Sequence, residues 1–173
     1  METDALRPMT PIQIQQTRDF VDSLNEECQT YWDMVEVGDE LERDLHLTPE
    51  LVILYADGVE DYNPWYEGWK MNTWYIGGES PFGGAIVPPV MVSHFVLSVQ
   101  FDHTKPFAIG SIHTFHDTEL HEPIPVGATV RIHTKAIDKY EKRGRRYVRH
   151  EVTVTDVESG TRYLTETRDI LSR

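Results

Sequence analysis

The chain carries a single cysteine, Cys28, among 173 residues. That excludes an internal disulfide framework and suits a reducing compartment, so a cytoplasmic location is expected. No apolar run reaches the ~20 residues that a membrane span needs. The longest candidate follows Pro89 and is broken by Ser93, His94 and Ser98. The first ten residues, METDALRPMT, contain no basic segment leading into an apolar one, so no secretory signal is expected. Positive charge is scarce. Sixteen Lys and Arg stand against 29 Asp and Glu, for a net charge of -13. Nucleic-acid phosphates and an acidic membrane surface would both be repelled. Such acidity serves first to keep a protein in solution. Internal repeats and low-complexity segments are absent.

What is present fits one domain with a substantial core, at 39% hydrophobic residues and four Trp. The expected division is an N-terminal arm and helix over 1–34 and a main domain over 35–173. In the first part, Ile12, Phe20, Val21 and Leu24 recur at roughly helical spacing, which predicts a packing helix over 11–34. From Val35, the turn Gly38-Asp39 leads into a strand with Leu41, Arg43, Leu45 and Leu47 on one side. Thr48-Pro49-Glu50 is a helix start, with Thr as N-cap and Pro in the first turn. Leu51, Leu54 and Tyr55 form its apolar stripe, and Gly58 is its expected end. The chain then reaches Asp61-Tyr62-Asn63-Pro64-Trp65-Tyr66, where the Asn-Pro step demands an extended or turned backbone. Residues 67–79, with Trp69, Trp74 and Tyr75, read as an irregular aromatic loop, either a lid on the core or the wall of an apolar substrate pocket.

The stretch Ser80 to Gln100 organises the rest. Gly83 and Gly84 let the backbone approach another group closely. Pro88-Pro89 can open a helix without losing a bond. The residues that follow are apolar on nearly every side, which predicts a buried helix. Beyond it the pattern changes to period two. Ser111 to Leu120 alternates, and so do Val130, Ile132, Thr134, Ala136 and then Val148, His150, Val152, Val154. Lys139 to Arg146 is the turn between the latter two, and Gly160 marks the next, before Thr161 to Leu171. Antiparallel strands wrapped around one apolar helix make an α+β domain of hot-dog type.

The order of these signals carries a resemblance. A Gly-Asp turn and strand, a short helix, D-x-N-P at Asp61 to Pro64, F-G-G-x-I-V at Phe82 to Val87, an apolar helix, and P-x-x-x-G at Pro123 to Gly127 before three long strands resemble the MaoC-like hot-dog proteins. Those are (R)-specific enoyl-thioester hydratases and 3-hydroxyacyl dehydratases. The likeness covers Val35 to Arg173, and its latter half is most similar to the dehydratase half that often lacks the catalytic motif. The resemblance implies an acyl thioester substrate on coenzyme A or a carrier, no cofactor, no metal, and pairing into a homodimer or a heterodimer with a paralogue. An unpaired sheet edge needs cover on physical grounds as well.

The family motif is D-x-N-P-x-H. Adding water to an enoyl thioester needs a base for the water, a proton for the adjacent carbon, and donors for the thioester oxygen. Asp61, Asn63 and Pro64 match the motif, but Tyr66 stands in the histidine's place. The family's I-V-H-G stretch offers a glycine N–H to the oxyanion. Here it reads Ile86-Val87-Pro88-Pro89, and Pro89 has no N–H. The family's helix serine falls on Leu97, with Ser98 beside it. Asp61 as base, Asn63 as its support and Tyr66 as proton donor is the division of labour these residues allow. Tyr55, Trp65, Gly83, Gly84, Ile86 and His94 are the candidates for substrate contact.

Each has a plainer alternative. Asp61 can cap its turn, Tyr66, Tyr55 and Trp65 can be packing residues, and His94 can be a satisfied core histidine. His113, Asp117, Glu119 and His121 fall on one side of their predicted strand, strung too far apart to close around one ion. His113 or His116 is a further source of the missing imidazole. The basic group Lys139, Lys142, Arg143, Arg145, Arg146 and Arg149 is either a solvated hairpin tip or a phosphate contact, with Arg143 and Arg146 as the candidates. Three functions stay open: a hydratase or dehydratase, a non-catalytic subunit of a heteromeric dehydratase, or a hot-dog enzyme with altered chemistry such as a thioesterase, another lyase or an isomerase.

Overall fold

The period-two segments become five antiparallel strands in one sheet. A computed structural model describes residues 15, 30–61, 63, 65–66, 80–102 and 111–172, with 101 and 102 as backbone. The strands are β1 (Glu40–His46), β2 (Ile112–Leu120), β3 (Thr129–Lys142), β4 (Arg145–Asp156) and β5 (Arg162–Ser172). Their order in the sheet is β1-β3-β4-β5-β2. Three helices accompany them: α1 (Tyr31–Met34), α2 (Pro49–Gly58) and α3 (Pro89–Asp102). The predicted helix over 11–34 lies largely outside the described residues, as does the aromatic loop over 67–79. What is described of the former is the single turn α1.

Helix α3 starts at Pro89 as its sequence predicts, and Met91, Val92, Val96 and Val99 are buried. They pack on the concave face of the sheet with Val130, Ile132, Val152, Val154 and Leu164. Each such side chain contributes on the order of 1.5–3 kcal/mol when fully buried. Yet α3 is not covered all round. Val90, His94 and Ser98, spaced by four, form an exposed stripe along it. Thr48 caps α2 by accepting from the Leu51 N–H, and Val52 and Ala56 are its buried residues. Leu54, expected in the stripe, is 72% exposed, because the buried face runs through 52 and 56 instead.

β1 begins at Glu40, directly after the expected Gly38-Asp39 turn, in which Gly38 takes a positive φ. Other local expectations change for identifiable reasons. The β3–β4 turn is only Arg143-Gly144, both with positive φ, as a two-residue hairpin turn of the primed type requires. A bulge between His113 and Phe115 resets the alternation of β2. His113 and His116 therefore pair with the inward-facing Ile170 and Arg168, while Asp117 and Glu119 pair with Thr167 and Thr165. The four residues expected on one side of that strand are divided between two faces.

The basic cluster is taken up locally. Lys139 and Arg146 lie over the Trp32 ring, at 4.7 Å and 5.5 Å from its centroid. Arg149 makes a two-pronged ion pair with Asp169, at 2.7 Å and 2.8 Å. Tyr31 is buried with its hydroxyl 2.9 Å from His150 Nε2, so α1 closes the end of the concave face that α3 leaves open.

The concave face also contains charge. Arg168 and Glu166 are both buried, and Arg168 Nε donates to Glu166 Oε2 at 2.7 Å. Arg168 Nη2 donates to the Ser93 carbonyl at 2.6 Å and hydroxyl at 2.7 Å, tying β5 to α3. His116 Nε2 lies 3.3 Å from Glu166 Oε1 and 2.8 Å from the Thr118 hydroxyl. Burial pulls the Arg168 guanidinium pKa down, and Glu166 works against that fall. Removing one partner strands the other charge in the core. Arg168→Met is thus expected to cost on the order of 3–5 kcal/mol in urea denaturation, and Arg168→Met with Glu166→Leu to recover most of it.

Candidate active site

Asp61 is presented by the way α2 ends. Val59 is the C-cap, Glu60 adopts φ +55, the Asp61 N–H donates to the Ala56 carbonyl at 2.9 Å, and the Glu60 N–H to the Asp57 carbonyl at 3.4 Å. This is the Schellman closure, which favours glycine at the left-handed position. Placing Glu there costs roughly 1–2 kcal/mol, a strain of the kind that gathers at functional sites. Gly58, the expected end, is the last residue of the helix.

The following turn is held by its own side chains. Asp61 Oδ1 accepts from the Asn63 N–H at 3.3 Å, and Asn63 Oδ1 accepts from the Trp65 N–H at 3.0 Å. The Tyr66 N–H donates to the Asn63 carbonyl at 3.0 Å. Tyr62 and Pro64 lie outside the described residues. The turn docks on the stretch before α3. Ile86 N–H donates to the Trp65 carbonyl at 2.8 Å, and the Trp65 and Phe82 rings meet edge to face at 5.4 Å. Ile86 is in turn bridged to Pro125, and Val87 N–H donates to the Ile124 carbonyl at 2.8 Å. Gly83 supplies the positive φ in the turn over 80–84, and both Gly83 and Gly84 are exposed.

Asp61 and the two phenols share one electrostatic environment. Burial raises the Tyr66 pKa and the Asp61 charge raises it further, while a hydrogen bond with the Asn63 side chain works the other way. Burial raises Tyr55 also, followed by the charges of Asp61 and Tyr66. Both are therefore phenols, able to donate, at neutral pH. The Tyr55 hydroxyl lies 3.0 Å from His94 Nδ1 on α3. Asp61 is exposed and Tyr66 half-buried against the core. A carboxylate and two phenol hydroxyls thus influence one another, and one of those hydroxyls meets an imidazole where α2 faces α3.

Other candidates fall elsewhere. Ser98 donates its hydroxyl to the Phe95 carbonyl at 2.7 Å, within its own helix. Arg143 and Arg146 stand at the tip of the β3–β4 hairpin. The turn bearing Asp61 is bonded through Trp65 to the strap over 85–87, which bonds to residues 124–126 just before β3, and the 14 residues of that strand span roughly 40 Å. Within one chain the two arginines do not join Asp61. His116 faces Ser93, which has a different direction on α3 from His94. Among the described residues, no group of three His, Cys, Asp or Glu is placed to hold a metal ion. A groove of about 260 Å³ is lined by Phe82, Ile86, Pro89, Leu120, Ile124 and Tyr163 among others, and it meets the turn bearing Asp61 through the contacts of Phe82 and Ile86 with Trp65. The Tyr55–His94 pair and the strained Glu60 had no sequence signal, since both depend on how α2 closes and packs.

No protein-family model matches the sequence, and no curated protein does. Solved structures do match the fold. The unliganded R-hydratase PhaJ1 from Pseudomonas aeruginosa is similar with a TM-score of 0.62 and 17% identity, over 82% of this chain and 84% of that one. The HadBC (3R-hydroxyacyl-ACP dehydratase) complex from Mycobacterium tuberculosis gives 0.61 and 15%, over 80% and 98%. The MaoC-like dehydratase from Rhodospirillum rubrum gives 0.61 and 16%, over 80% and 93%. Among the described residues, no helix is long and apolar enough to cross a membrane. With its five-stranded antiparallel sheet wrapped on α3, the chain has the hot-dog fold of the MaoC-like dehydratases and (R)-hydratases.

Proposed function

We propose that the protein adds water to a 2-enoyl thioester, or removes it from a 3-hydroxyacyl thioester, carried on coenzyme A or an acyl carrier. The observation that carries this reading is the convergence of Asp61 with Tyr66, a phenol kept protonated first by burial and then by the Asp61 charge itself. In the hydration direction, Asp61 takes a proton from water as the water oxygen bonds to C3. The C2–C3 π pair shifts toward C2 and the thioester carbonyl. The Tyr66 hydroxyl gives its proton to C2, and the proton on Asp61 then restores the phenol. Dehydration is the reverse. Asn63 holds the turn on which Asp61 and Tyr66 sit. The groove along Phe82, Ile86 and Pro89 offers an apolar place for the acyl chain. That the similar structures include an R-hydratase and a 3R-hydroxyacyl-ACP dehydratase supports the same class of reaction.

Tyr66 in the histidine's place and the Pro88-Pro89 pair favour a second reading, in which the chain completes the site of a competent partner. A cluster with a free carboxylate and a protonated donor favours catalysis by this chain. Assay of the purified protein against 2-enoyl- and 3-hydroxyacyl-CoA thioesters separates the two. Wild type is expected to be active, and Asp61→Asn and Tyr66→Phe each to lose about 10²–10⁴-fold in kcat. A well-folded wild type with no activity on that panel, or an unaffected Asp61→Asn, would overturn the catalytic reading. Products other than hydrated or dehydrated thioesters would point to altered hot-dog chemistry.

The same reading includes a dimer. All nine residues of the edge strand β2 are exposed, among them Ile112, Phe115 and Leu120. A strand of that length with apolar side chains and an unpaired edge calls for cover. We assign that cover to a second copy of the chain. Analytical ultracentrifugation is expected to give a dimer, and Ile112→Lys with Phe115→Lys a monomer. A monomeric wild type would leave a paralogous chain as the partner.

A further inference from the structure

Addition of water to a thioester builds negative charge on the carbonyl oxygen, and a hydrogen-bond donor must meet it. Pro88 and Pro89 offer no N–H at the start of α3. Ser98 is bonded to its own helix, and the Asn63 side-chain amide is engaged with the Tyr66 hydroxyl. Among the described residues, His94 has one ring nitrogen at Tyr55 and the other open to donate. It stands on the exposed stripe of α3, one turn beyond Val90 and on the same face as Leu97, where the resemblance places a polar side chain.

We propose that His94 is the oxyanion donor of this site and that Tyr55 is its positioning residue. This rests on the hydratase reading above. A phenol is a good donor and a poor acceptor, and Tyr55 is 3.0 Å from His94 Nδ1. Its O–H therefore donates to Nδ1, which leaves the proton of the neutral ring on Nε2. The two rings are tilted at 53° with centroids 5.7 Å apart, so the contact is a hydrogen bond and not a stack. Nε2–H is then a fixed donor on the face of α3 that meets Tyr55 of α2. A solvated surface histidine would make no such selection between its two nitrogens.

Three variants and one ligand test this. His94→Ala is expected to lower kcat about 10²–10³-fold with little change in KM, because the donor acts on charge that develops in the transition state. His94→Gln, which keeps an N–H donor, is expected to restore part of that loss. Tyr55→Phe is expected to lower kcat less than His94→Ala does. The ligand is butyryl-CoA labelled with ¹³C at the carbonyl, which has no double bond to hydrate. Its carbonyl resonance is expected to move downfield on binding to wild type, to stay near its free position with His94→Ala, and to move partly with His94→Gln. Wild-type hydration with kcat and carbonyl shift unchanged in His94→Ala would overturn the role of His94 while the hydratase reading stood. A wild type that neither hydrates enoyl thioesters nor binds butyryl-CoA would overturn both.

Discussion

One face of a single helix has to be buried against one face of a sheet, and the position of every functional group follows from that contact. Met91, Val92, Val96 and Val99 press α3 onto β3, β4 and β5. An apolar contact alone would let the helix slide or turn at little cost. Arg168 removes that freedom by binding both the carbonyl and the hydroxyl of Ser93 from within the sheet. Fixing Ser93 toward β5 also fixes the direction of its neighbour His94, which faces α2 and Tyr55. The desolvation of Arg168 is tolerable because Glu166 and Ser93 meet it at hydrogen-bond distance.

From the helix the arrangement spreads outward by backbone bonds. Ile86, just before α3, holds the Trp65 carbonyl, and through it the turn that bears Asp61 and Tyr66. Asp61 is thus placed from two sides, by the strained end of α2 and by the strap that leads into α3. At the other end of the sheet, α1 and the Trp32 ring, set between Lys139 and Arg146, close the concave face. That occupation explains why the basic hairpin stands apart from the chemistry in a single chain.

The elements with strong local grammar were legible in the sequence. Thr48-Pro49 marked the start of α2, Pro89 the start of α3, and the alternation of Val130, Ile132 and Ala136 in β3 and of Val148, Val152 and Val154 in β4 their inward faces. Motifs in the same order identified the fold. Features that depend on tertiary contact were not legible. Glu60 in the left-handed position carries no sequence signal, because glycine is the residue that would announce it. The bulge in β2 inserts one residue and so moves His113 and His116 to one face, a shift that periodicity alone does not reveal. Charged Glu166 and Arg168 pointing into the core invert the usual pattern. The pairing of Tyr55 with His94 needs the register of α2 on α3, which is set only when the sheet is complete.

The departures at Tyr66 and Pro89 then make sense as one set. In the proposed mechanism a phenol takes the imidazole's place as proton donor, and an imidazole on the helix takes that of the missing backbone N–H. The most direct test of this exchange is a crystal structure with a saturated acyl-CoA bound. The account predicts the thioester carbonyl oxygen within hydrogen-bond distance of His94 Nε2, with C2 and C3 between Tyr66 and Asp61. A thioester bound away from Asp61, or with its carbonyl turned from His94, would contradict it.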